Sequence, residues 1–137
     1  MGRVFFDTRK NCHSLTGAYT VLTSDSGKVF TLNAAAGVAI TLPSVANMQD
    51  GWNCKFIVGT AFSSSNWQIT ATAAVIKGAI FEAEIDDGED HPSTVGGTTI
   101  DFVHSLETLG DFVELTCDGT SIFMNGQSKL DGGILLA

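Results

Sequence analysis

Short runs rich in Thr, Val, Ile and Phe, each closed by a cluster of Gly, Asp, Asn or Ser, recur along almost the whole of this chain. β-Branched and aromatic residues fit a pleated, half-buried surface, and the small polar residues supply turn geometry, so the pattern predicts strands and turns. Residues 19–23 and 28–32 are two such runs, and Ser24-Asp25-Ser26-Gly27 between them predicts a hairpin. Residues 38–42 place Ile40 and Leu42 on one face, and Pro43 ends the run. Residues 44–50 suit a single helical turn closed by Gly51, before 53–60 resumes the strand pattern. Residues 66–72 alternate cleanly, with Trp67, Ile69 and Ala71 on one side. Residues 75–85 are interrupted by Gly78, and 98–104 and 111–117 return to strand character. Asp118-Gly119 joins the last of these to 120–124, a strong hairpin signal. About nine short strands with frequent turns predict an all-β, single-domain antiparallel β-sandwich or jelly roll, with no internal repeat.

A length of 137 residues fits one domain, here residues 16–137, preceded by an N-terminal arm over residues 1–15. Apolar residues at 44 % supply a core without recourse to disulfides, and this hydrophobicity excludes intrinsic disorder. The formal net charge of −8 has the wrong sign for gripping nucleic acid or an anionic membrane, so neither is an expected partner. The acid excess belongs to the second half, where residues 78–128 hold eleven acids and no Lys or Arg. No apolar run approaches a membrane helix, and Asp7 interrupts the start too early for a signal peptide, so a cytoplasmic site of synthesis is expected. Cys12, Cys54 and Cys117 form an odd, widely spaced set without a Cys-x-x-Cys pair, and are read as reduced thiols.

Residue types that carry chemistry are present without the spacing that chemistry needs. Glu82 and Glu84 share a strand face about 7 Å apart, a spacing known from glycoside hydrolysis, but nothing else marks a sugar cleft and an exposed strand face is the ordinary place for glutamates, so they are read as a solvated face. Asp86, Asp87, Glu89 and Asp90 gather hard oxygen ligands around Gly88, the weak candidates for a calcium site, without EF-hand spacing. His13, His91 and His104 are scattered, and Cys12 beside His13 lies in an acidic chain that offers a thiolate little support. The nucleophile-elbow, P-loop and dinucleotide-binding templates all fail, so no enzyme, metal or cofactor is expected. Trp67 reads as core, whereas Trp52, after Gly51 in a turn, is the exposed aromatic that would stack on a ligand. Residues 132–137 form a short apolar tail that must pack on its own domain or on a neighbouring subunit. The arm is either a docking tail or a first strand with frayed flanks. As a tail, its apolar triplet Val4-Phe5-Phe6 beside Arg3, Arg9 and Lys10 is the expected contact segment.

The order of elements resembles small β-structured virion proteins of tailed bacteriophages. The resemblance is carried by Tyr19-Thr-Val-Leu-Thr-Ser-Asp-Ser-Gly-Lys-Val-Phe-Thr-Leu32, then Ile40-Thr-Leu-Pro43, Gly51-Trp-Asn-Cys-Lys-Phe-Ile-Val58 and Gly110-Asp-Phe-Val-Glu-Leu-Thr-Cys-Asp-Gly-Thr120. Phe123 stands where those modules place a closing aromatic, so the similarity spans residues 19–124. In those families the module serves as a head decoration (cement) protein or as part of a head or tail fibre, without catalytic residues. A single module with a short arm and no shaft implies decoration: a virion protein on the capsid exterior, a homotrimer whose partner is the major capsid protein. The alternative is a receptor- or glycan-binding module of a phage fibre, with Trp52 and the acidic loop recognising the ligand.

Overall fold

The computed structural model describes residues 11–84 and 96–137. Among the described residues, eleven short strands, one turn of α-helix and one 3-10 turn (Thr23–Asp25) make up an all-β domain. The strands are β1 (Cys12–Leu15), β2 (Tyr19–Thr20), β3 (Val29–Leu32), β4 (Ala39–Thr41), β5 (Asp50–Val58), β6 (Trp67–Thr70), β7 (Ile76–Glu82), β8 (Thr99–Phe102), β9 (Phe112–Asp118), β10 (Ile122–Ser128) and β11 (Ile134–Leu136). The helical turn α1 (Val45–Met48) lies where the sequence places it. Two sheets share one core, a six-stranded sheet in the order β1-β3-β5-β9-β10-β7 and a five-stranded sheet in the order β11-β8-β6-β4-β2.

The sheets are mixed rather than antiparallel, with five of the nine strand pairings parallel. From β1 to β6 the chain changes sheet after every strand, so β1, β3 and β5 run parallel in one sheet and β2, β4 and β6 in the other. These six strands are three successive coils of a two-sheet solenoid. The coils hide from a search for repeats because their spacing is uneven: Cys12, Val29 and Lys55 are register partners 17 and 26 residues apart. The β9–β10 hairpin then inserts between β5 and β7, closed by the anticipated Asp118-Gly119 turn with Gly119 at φ 88°.

The hairpin expected from residues 19–32 does not form, since β2 and β3 belong to different sheets. Its turn instead carries the chain across the core edge, and Asp25 explains how. The Asp25 carboxylate is 2 % exposed, and accepts hydrogen bonds from the Leu22 N–H (2.8 Å), the Tyr19 hydroxyl (3.1 Å) and the Lys28 ammonium (2.6 Å). A buried carboxylate so fully bonded fixes a compact bend that redirects the strand, and Gly27 at φ +83° completes it. Residues 12–15, expected within the arm, form the edge strand β1, and residues 1–10 of that arm lie outside the described residues. The C-terminal tail packs on its own domain as β11, antiparallel to β8.

Register across the sheets builds the core row by row. His13, Phe30, Phe56, Val113, Gly126 and Ile80 form one inward row of the six-stranded sheet. Phe30 and Phe56 stack with centroids 5.0 Å apart, and the half-buried His13 ring covers Phe30 at the sheet edge. Opposite them, Tyr19, Ile40, Ile69, Ile100 and Leu136 line up on the five-stranded sheet. Trp67 is fully buried as anticipated, its indole N–H donating to the Ala34 carbonyl at 3.1 Å.

Candidate functional site

The aromatic chosen for exposure is in the core. Trp52 is 3 % exposed and sits within β5, not in a turn, with its indole N–H donating to the Thr23 carbonyl at 3.2 Å. It shares the inward face of β5 with Cys54, Phe56 and Val58, in a strand whose ladder with β9 is bulged between Asp50 and Asn53. Trp52 therefore offers no face to a ligand.

Other candidates are kept apart or given to structural tasks. Cys12 and His13 are adjacent on a strand, so their side chains leave on opposite faces. Cys12 is exposed, while His13 packs against Tyr19 and Phe30. Cys54 and Cys117 are buried, and burial pushes the Cys54 thiol far up. Glu82 and Glu84 both reach the turn before β11: Glu82 accepts the Gly132 N–H at 3.0 Å and Glu84 the Asp131 N–H at 3.3 Å. Arg3, Val4, Phe5, Phe6, Arg9 and Lys10 lie outside the described residues, as do Asp86, Asp87, Glu89, Asp90 and His91. Among the described residues no three His, Cys, Asp or Glu side chains are grouped so as to hold a metal ion.

What the fold does assemble is a broad open face on the outside of the six-stranded sheet. Register places three rows there: Asn53, Thr116, Phe123 and Lys77; then Cys12, Val29, Lys55, Glu114, Asn125 and Ala79; then Ser14, Thr31, Ile57, Phe112, Gln127 and Phe81. Phe81 and Phe123 are 65 % and 48 % exposed. At the centre the Lys55 ammonium lies 3.8 Å from the Phe112 ring centroid and 3.1 Å from the Glu114 carboxylate, a cation held both by a ring face and by an ion pair. Beside them Lys55, Glu114, Val29 and Asn53 help to line an open depression of about 230 Å³. The opposite outer face differs in kind: Thr20, Thr41, Thr70 and Thr99 run straight across four strands of the five-stranded sheet.

Phe81, Phe112 and Phe123 are not legible in the sequence as a group. Strict alternation over Ile122–Ser128, with Phe123, Asn125 and Gln127 outward, is a readable signal, but ending that strand at residue 124 hid it. Their coming together depends on β7 pairing parallel to β10, a contact between strands about 46 residues apart in register.

The chain matches no protein-family model, no curated protein and no solved structure.

Proposed function

We propose that this chain is a structural virion protein of a tailed bacteriophage, which binds the exterior of the capsid through the major capsid protein and stabilises it as a homotrimer. The role needs surface, not chemistry, and it assigns no catalytic residue and no cofactor. The observation that carries the reading is the continuity of the segments on which the resemblance rests. Residues 19–32, 40–43 and 51–58 run through β2, β3, β4 and β5 of the successive coils, residues 110–120 form β9 of the inserted hairpin, and all four segments contribute to one core. A rigid two-sheet core with wide outer faces suits a subunit seated on a lattice, where threefold positions favour a trimer.

The test is co-sedimentation with undecorated capsids of the phage that encodes the chain, run beside a glycan array. Saturable retention on capsids without glycan binding is the expected result. Glycan binding without retention would transfer the reading to a fibre module.

A further inference from the structure

We propose that the outer face of the six-stranded sheet, centred on Phe112 and flanked by Phe81 and Phe123, is the surface that seats on the capsid lattice. The inference rests on the capsid-binding reading and names its contact surface. Three observations converge on this face.

The first is its side-chain composition. Interface cores are depleted in charge and enriched in aromatic residues relative to the remaining surface. Of the sixteen residues in the three rows, three are charged, and two lysines against one glutamate give +1, in a chain whose formal charge is −8. Glu114 is the single acid among those rows, and it is already paired with Lys55. Asp118, two residues beyond Thr116 on β9 and opposite Asp50 in register, brings acid to the hairpin end of this face, so the three rows themselves are what a neutral partner meets with little repulsion.

The second is area. Six strands about 4.8 Å apart and about five residues long at 3.3 Å each cover roughly 500 Å². A stable pairwise interface needs about 800 Å² per partner. A face of this size makes a weak site by itself, which argues against a second copy as its occupant. It suits a repetitive protein surface, where several subunits of one oligomer engage together and avidity supplies the affinity. The third is preorganisation: Lys55 is held over Phe112 and against Glu114, so the centre is ordered before any partner arrives.

The matching patch on the lattice is therefore flat, apolar and without net positive charge, with a carboxylate or carbonyl able to meet Lys77. The experiment compares three proteins in co-sedimentation with undecorated capsids: the parent chain, the pair Phe81→Asp with Phe123→Asp, and the pair Thr20→Asp with Thr41→Asp. The last adds the same charge to the opposite face. The aromatic pair is expected to lose about tenfold or more in apparent affinity, and the threonine pair to bind as the parent does. The milder pair Phe81→Gln with Phe123→Gln guards against misfolding, and is expected to weaken binding in the same direction while the circular dichroism spectrum is unchanged. Parent binding with undiminished binding by both aromatic pairs overturns this assignment and leaves capsid binding standing. Failure of the parent itself to bind overturns the reading beneath it. If the aromatic pairs change the solution mass and leave capsid affinity intact, the face is a subunit interface and the assignment is wrong.

Discussion

Asp25 shows how one side chain decides the path of the chain. Burial pushes its carboxyl up, but the Lys28 ammonium, the Leu22 N–H and the Tyr19 hydroxyl outweigh that and hold it below the usual carboxylate range. A carboxyl lowered in the folded state stabilises fully above its unfolded value of about 3.9, and this contribution is lost as pH falls through the folded value. The melting temperature should therefore show no contribution from Asp25 to its slope between pH 7 and pH 5, and should fall below about pH 4. Asp118, lowered by hydrogen bonds from Ser121 and Thr120, acts in the same direction. Asp25→Ala leaves the Leu22 N–H and the Tyr19 hydroxyl without their acceptor, and should cost about 2–4 kcal/mol in denaturant titrations. Two glycines separate conformational from steric cost. Gly27 has open space around it and needs only its positive φ, so Gly27→Ala should cost about 1 kcal/mol. Gly78 faces the Met124 carbonyl oxygen, 1.9 Å from where a Cβ would sit, so Gly78→Ala must displace backbone and should be clearly the more destabilising of the two. Equal losses for the two would contradict the register of β7 against β10.

At the scale of elements, position within the sheets sets local stability. β5 and β9 have strand partners on both sides, whereas β1, β2 and β11 lie at sheet edges and are two to four residues long. Short edges are a common guard against edge-to-edge association. Native-state hydrogen exchange should find the slowest amides in β5 and β9 and the fastest among strand amides in the three short edges. Uniform protection would argue against this layering. The same hierarchy explains what the sequence could reveal. All nine runs read as strands contain a strand, because β-branched and aromatic alternation is local. The sequence marks the edge β11 only as an apolar tail and leaves β1 open between tail and first strand, and it misplaces Trp52 because β5 begins at Asp50, so that the alternation of Trp52 with Cys54, Phe56 and Val58 starts before the run at 53–60. Parallel pairing was illegible for a deeper reason. Ser24-Asp25-Ser26-Gly27 has the residues of a hairpin turn, and only the burial of Asp25, set by Tyr19 and the neighbouring coils, makes it a crossing between sheets. For the outer face, each aromatic is visible in the sequence, but their assembly follows from strand order, which is non-local.

For the whole molecule, a three-coil solenoid completed by a hairpin gives a stiff body with two unlike outer faces, one aromatic and poor in charge, the other a row of threonines. The proposed trimer should appear in solution as a species of about 43 kDa by light scattering, three times the 14.4 kDa chain. A protein that binds the assembled shell and not its separated subunits must shift the equilibrium toward the shell. The most direct measurement is the temperature at which packaged DNA becomes accessible to an intercalating dye in undecorated phage heads, with and without the purified chain. The account predicts a rise that saturates as the chain is added, and no shift at any concentration would contradict it.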